Sequence, residues 1–173
     1  MAYTTIDDPS AHFNITLYTG DGNDDRSITN SANAGDFQPD WLWIKQRDQT
    51  RHHMLVDSNR GATKHLSTSL TNGESTNANG VQAFESNGFE LGTDTDVNQN
   101  TGTYVAYQWK ANGGTTSSNS DGSITTTVQA NQTAGFSIVT YTSAAGGQTI
   151  GHGLGAVPEL YIIKERSTNG DDW

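Results

Sequence analysis

Cysteine is missing altogether from the 173 residues, and proline occurs only three times. Without thiols there is neither a disulfide framework nor a thiolate metal site, and redox chemistry gives no clue to compartment. Positive charge is scarce as well: nine Lys plus Arg stand against nineteen Asp plus Glu, a net charge of −10. Binding phosphates needs a basic footprint, so this balance opposes a nucleic-acid partner and fits a highly soluble, exposed protein. No apolar run nears the roughly 18 residues of a membrane helix, and no signal-peptide pattern opens the sequence, so neither membrane insertion nor a leader is expected. Leu, Glu and Lys are few, whereas Thr, Ser, Asn and Gly are abundant. Such a composition favours strands and turns over helices.

The strands can be read in order. In "FNITLY", Phe13, Ile15 and Leu17 alternate with Asn14, Thr16 and Tyr18, the period of a half-buried strand. "WLWIK" (41–45) and "LYIIK" (160–164) are short apolar runs, each preceded by a proline, and read as buried strands entered from a rigid turn. "HMLVD" (53–57), "VQAF" (81–84), "GFEL" (88–91) and "TYVAYQW" (103–109) read as further strands, separated by turn-forming stretches such as "GDGNDD" and "NGESTNANG". A short helix is expected only around "NRGATKHL" (59–66). Many short strands with polar, Gly-rich connections predict an all-β protein, most naturally a β-sandwich.

The chain also repeats itself. Ala11, Phe13, Ile15, Tyr18 and Thr19 recur 123 positions later as Ala134, Phe136, Ile138, Tyr141 and Thr142. Pro39, Ile44, Lys45 and Arg47 recur 119 positions later as Pro158, Ile163, Lys164 and Arg166, and Asp40 is matched in type by Glu159. The change of offset falls between the two blocks, where a surface loop absorbs a length change cheaply. The expected organisation is a lead-in at 1–10, a first sandwich unit at 11–112, a Gly/Ser-rich flexible joint at 113–123, and the start of a truncated second unit at 124–173. The second unit would be completed by further chain or by another subunit.

With "YTTIDDPSAHFNITLYTGDG", "FQPDWLWIKQRD", "HHMLVDSNRGATKHL", "FESNGFELGT", "YVAYQWKANGG", "SITTTVQANQTAGFSIVTYT" and "IGHGLGAVPELYIIKER", the sequence resembles a module of tail-fibre and related virion proteins of tailed bacteriophages, marine ones in particular. These stretches cover nearly the whole chain in order. The resemblance implies a jelly-roll-like, lectin-like sandwich in tandem copies, a place on the virion surface or tail, extracellular in the free particle, and a homo-oligomer, most naturally a trimer. Other virion or tail proteins are the implied partners. The segment preceding the first strand, with Tyr3, Ile6, Asp7, Asp8 and Pro9, is then the natural place for docking on the particle; an ordered lead-in or a frayed terminus is the plainer account.

No catalytic constellation emerges, and no enzymatic activity is expected. His52 and His53 would point to opposite faces of a strand, which ill suits a shared metal; a structural histidine beside Asp57 or Asp48 is the plainer account. "DTDVNQN" (94–100) spaces Asp94, Asp96, Asn98 and Asn100 like the oxygen ligands of a calcium loop, but Gln99 holds the glycine position and Val105 the glutamate position. Asp21, Asp24 and Asp25 cluster in "GDGNDD". Turn chemistry accounts for both stretches, so no cofactor is expected, with calcium the single ion left open. Ser58 lacks the glycine elbow of a hydrolase serine, and "GHGLG" (151–155) lacks the lysine of a phosphate loop.

Aromatic residues offer the best route to binding. Trp41 and Trp43 share a strand face, as do Tyr107 and Trp109, and aromatic rings of this kind can stack on the apolar face of a sugar. A host surface glycan is the ligand class they would take; filling the sandwich core is the competing use. Arg60 and Lys64, with Lys45 and Arg47, read as partners for the many carboxylates.

Overall fold

The computed structural model describes Ile6, residues 8–30 and residues 36–173. A 3-10 turn at Pro9–Ala11, begun by Asp8 accepting from the Ser10 amide, leads into β1 (Phe13–Thr19). There follow β2 (Arg26–Thr29), β3 (Trp41–Gln46), β4 (Met54–Asp57), β5 (Lys64–Ser67), β6 (Ser75–Thr76), β7 (Val81–Glu85) and β8 (Gly88–Leu91). A single helical turn, α1 (Thr95–Asn98), precedes β9 (Thr103–Trp109); β10 (Ser117–Asn119), β11 (Thr126–Asn131) and β12 (Phe136–Thr140) complete the series.

The protein is all-β. One antiparallel sheet has the order β1-β9-β3-β4-β5-β6, and a second, β2-β8-β7, faces it. The first strand pairs with the ninth and the second with the eighth, in opposite sheets. The chain is therefore wrapped as a folded ribbon, the jelly-roll habit, with the difference that β3 and β4 stay together in one sheet. Between the layers lie Tyr18, Leu42, Ile44, Met54, Val56, Tyr104 and Ala106 from the large sheet, opposite Ile28, Val81, Phe89 and Leu91. Burying a side chain such as Phe89 contributes about 2–3 kcal/mol.

In β1 the buried aromatic is Tyr18, whose ring stacks on Tyr104 at 5.0 Å and whose hydroxyl donates to the Val97 carbonyl at 2.7 Å. Phe13, Ile15 and Leu17 take the opposite face of the sheet. Gly20, just after the strand, is required by contact: a Cβ there would lie 2.1 Å from the Gln99 carbonyl oxygen.

A third sheet, β10-β11-β12, follows, and its strands β11 and β12 lie within residues 124–173. β12 stands where the repeat aligns it with β1. Three sequence expectations change. Residues 113–123 are not a joint throughout, because Ser117–Asn119 pairs with β11. The helix expected at 59–66 is a turn followed by β5: the Asp57 carboxylate accepts from the Arg60 amide, and Gly61 sits at φ +109°, which ends any helix. The run 160–164 is in no strand. It extends along the surface with Leu160 78% and Ile163 52% exposed.

Candidate functional site

The outer face of the large sheet is where the aromatic residues converge. Register places Phe13, Trp109, Trp41 and Asp57 in one row across β1, β9, β3 and β4. The next row holds Ile15, Tyr107, Trp43 and Leu55, and the third Leu17, Val105 and Lys45. Thus the four aromatics singled out in the sequence share one face. That face is turned away from the core, because the alternating partners Leu42, Ile44, Tyr104 and Ala106 fill it.

The rings touch. Trp41 and Trp109 meet edge to face at 4.4 Å between centroids, Phe13 and Trp109 lie 4.7 Å apart, and Trp43 neighbours Trp41 and Tyr107 at 6.0 and 6.2 Å. Edge-to-face contact sets the positive ring rim against the negative ring face and adds about 0.5–1.5 kcal/mol per pair. At one end the second copy closes over them: Phe136 of β12 lies 6.4 Å from Trp41 and 6.3 Å from Trp109. Polar contacts accompany it, from Asn59 Nδ2 to the Thr127 carbonyl, Gln129 Nε2 to Ser58 Oγ, and Asn131 to His12. At the other end Trp43 and Tyr107 are half-buried and border Ile15 and Leu17, which are 48% and 61% exposed. The buried Nε1 of Trp43 meets no acceptor among the described residues.

Two polar devices hold this face in place. Asp40, fully buried, accepts from the amides of Ala111 (2.7 Å), Gly113 (2.8 Å) and Gly114 (2.7 Å), and from Ser58 Oγ (2.7 Å). Gly113 and Gly114 have φ of +59° and +76°, and these consecutive left-handed residues turn their N–H groups onto the carboxylate. Arg60, with its side chain 2% exposed, bridges Asp57 at 2.6 Å and Glu74 at 3.1 Å; Lys64 and Arg166 also reach Glu74. Arg60 and Lys64 are carboxylate partners, as read from the sequence. Lys45 instead donates to the carbonyls of Gln46 and Gln49.

The remaining candidates disperse. His52 contacts Ser69 Oγ at 3.3 Å, and His53 lies 6.1 Å from the Trp43 ring; neither pairs with Asp57 or Asp48. Asp94 caps α1 by accepting from the Asp96 amide and also binds Asn77. Asn98 turns inward to Arg26 and to the carbonyls of Gly92 and Asn23. Among the described residues, no group of three or more His, Asp or Glu converges as a metal site would need. Burial holds His65 below the ordinary histidine range and pushes Asp96 above the ordinary carboxylate range. Desolvation, followed by the charges of Lys45 and His52, does the same to His53 as to His65. An open cleft of about 570 Å³ is lined by Gly122, Thr149–Gly153 and Ala156–Pro158, apart from the aromatic face. Of the N-terminal docking residues, Tyr3 and Asp7 lie outside the described residues. Asp8 and Pro9 form the 3-10 turn, and Ser10 hydrogen bonds hold the Asp8 carboxyl below its usual range.

Fold and site together define an all-β sandwich protein with an aromatic sheet face partly covered by its own repeat. The chain belongs to the family described as a domain of unknown function, DUF7483, whose profile matches residues 8–173. No curated protein and no solved structure matches it.

Proposed function

We propose that the protein is a structural component of a phage virion, a tail-fibre or tail-surface protein that attaches through its N-terminal part and projects repeated β-sandwich units. The observation that carries this reading is the ordered set of stretches, from "YTTIDDPSAHFNITLYTGDG" to "IGHGLGAVPELYIIKER", that resembles the phage module over nearly the whole chain. The packing of Phe136 against Trp41 and Trp109 supports it physically, since contact between successive copies suits a projecting array. The partners are other tail proteins and further copies of the chain, arranged as a closed trimer. Its work is assembly, without substrate turnover or a cofactor. Mass spectrometry of purified particles, followed by immunogold labelling, tests the reading. Label on the tail is the expected result; particles lacking the chain would overturn it.

A second reading, recognition of a host surface glycan, is favoured by the uncovered end of the aromatic face. There Trp43 and Tyr107 sit beside exposed Ile15 and Leu17, while Trp41 and Trp109 are engaged by Phe136. A glycan array with Trp43→Ala and Tyr107→Ala separates the readings. Binding that both substitutions abolish, with melting unchanged, favours recognition; silence across the array favours scaffold duty.

A further inference from the structure

Five asparagines in the chain are followed by glycine: Asn72, Asn79, Asn87, Asn112 and Asn169. The pairing has its own chemistry. With no Cβ on the following residue to crowd the approach, the glycine amide nitrogen can attack the asparagine carboxamide carbon and close a succinimide ring. The N–Cγ bond forms, the Cγ–Nδ2 bond breaks, and ammonia leaves with the amide proton. Water then opens the ring at either carbonyl. The product is aspartate, or isoaspartate, in which the main chain runs through the side-chain carbons. The step needs a glycine N–H free of hydrogen bonds and a carboxamide free to turn onto it, so the fold decides which pairs react.

Four of the five are held. Gly80 and Gly88 are buried; the Gly80 amide donates to the Asn77 carbonyl, and Gly88 is paired with Glu85 on one side and Thr29 on the other. The Gly113 amide donates to the buried Asp40 carboxylate at 2.8 Å, while the Asn112 carboxamide donates to the Thr115 carbonyl. Asn169 is held at both groups: the Gly170 amide donates to the Thr71 carbonyl at 3.0 Å, and the Asn169 carboxamide oxygen accepts from the Gly73 amide.

The fifth differs. Asn72 is exposed in the loop joining β5 to β6, and its side chain makes no hydrogen bond among the described residues. The Gly73 amide has one acceptor, Asn169 Oδ1 at 2.8 Å, and that acceptor is itself an exposed side chain. Exposed side chains change rotamer within picoseconds to nanoseconds, whereas the ladders and the buried carboxylate that hold Gly80, Gly88 and Gly113 open only with the sandwich.

We propose that Asn72 is a site of spontaneous deamidation, and that its isoaspartate product releases residues 164–173 from the first sandwich. That segment is clasped to the same loop. The Glu74 amide donates to the Arg166 carbonyl, the Gly170 amide donates to the Thr71 carbonyl, and the Arg166 side chain pairs with Glu74. The clasp has no slack, since a Cβ on Gly73 would lie 2.7 Å from the Thr168 carbonyl oxygen and 2.8 Å from that of Arg166. Isoaspartate lengthens the main chain by one carbon between Thr71 and Glu74, which both hold partners across the clasp, so these hydrogen bonds cannot all persist. Opening frees the Gly170 amide in turn, and Asn169 becomes the second site. This chemistry stands on the hydrogen bonds of the loop alone, so it holds or fails apart from the virion assignment.

The test ages the whole protein under mildly alkaline conditions and follows each Asn-Gly peptide by mass spectrometry, with isoaspartate identified by electron-transfer fragmentation. Asn72 should convert first and Asn169 next, while Asn79, Asn87 and Asn112 should lag by about tenfold or more, the factor that one well-held amide hydrogen bond represents. Asn169→Ala removes the acceptor of the Gly73 amide and should speed conversion at Asn72 by about three- to tenfold. Hydrogen exchange at Glu74 and Gly170 should quicken in the isoaspartate fraction but not in Asn72→Asp, which carries the charge without the added carbon. In urea the five pairs should convert at similar rates; if Asn72 still leads there, local sequence sets the order and the proposal falls. Conversion of another pair before Asn72, or a rate at Asn72 unmoved by Asn169→Ala, would overturn the site. Exchange in the isoaspartate fraction equal to that of the unaged protein would overturn the release.

Discussion

Replacing Asp40 by asparagine keeps the volume of the side chain and removes only its charge and one acceptor. In the wild-type protein Oδ2 accepts from the amides of Ala111 and Gly113, while Oδ1 accepts from the Gly114 amide, from Ser58 Oγ and, at 3.2 Å, from Gln38 Nε2. An amide must point its NH2 at one of these groups, whichever way it flips, so at least one backbone N–H is left facing another donor. Hydrogen bonds to charged groups contribute about 1.5–3 kcal/mol each, and a buried donor left unpaired costs about 1–3 kcal/mol. These terms do not add fully, and about 3 kcal/mol is the expected loss for Asp40→Asn, with about 4–5 kcal/mol for Asp40→Ala. In a protein of this size each kcal/mol lowers Tm by about 2–4 °C, so the asparagine variant should melt about 6–12 °C early. Urea and thermal unfolding followed by tryptophan emission suit the assay, since the Asp40 amide donates to the Trp109 carbonyl and Trp41 is the next residue. An asparagine variant melting within about 2 °C of wild type would refute the reasoning, because the charge would then contribute nothing to holding the turn.

Three further outcomes are expected. Arg60→Met should cost about 3–5 kcal/mol by urea titration, because Asp57 and Glu74 lose their buried partner; changing Asp57 and Arg60 together to apolar residues should cost less than Arg60→Met alone. Leu17→Asn should leave stability within about 0.5 kcal/mol, whereas Tyr18→Phe, one residue on, should cost about 1 kcal/mol by removing the bond to the Val97 carbonyl. Calorimetry across pH should show stability falling as pH drops below the ordinary histidine value of 6.5: there the unfolded chain takes up protons that His65 and His53, held low by burial, do not. The loss should end once pH passes below their folded values, and His65→Gln should flatten the slope; an unchanged slope would assign it elsewhere.

How much of this was readable depended on the range of the interaction concerned. "TYVAYQW" delivers β9 to the residue, and "WLWIK", "VQAF" and "GFEL" deliver strands within a residue or two, because alternation and bounding turns are local signals. β2 ("RSIT") and β10 ("SSN") carry almost no apolar signal and are strands because neighbours pair with them. The helix expected at 59–66 failed for the opposite reason: Ala62, Lys64 and Leu66 favour helix, yet the Asp57 cap and Gly61 fix a turn. Alternation put Trp41 with Trp43 and Tyr107 with Trp109, but it could not say that both pairs share one outer face. That fact rests on pairing between residues more than 60 positions apart. Asp40 was invisible as a hub, since its partners lie 71–74 residues downstream.

The contact of Trp41 with Trp109, 4.4 Å between ring centres, has an optical consequence. Two indoles so close and so steeply inclined share their excited states, and the coupled transitions should give a pair of circular-dichroism bands of opposite sign. Phe136 lies against the same two rings, so the couplet also reports how β12 packs on the sandwich beneath. The protein thus carries its own spectroscopic reporter, at the seam between its copies, and that seam can be watched without any attached dye.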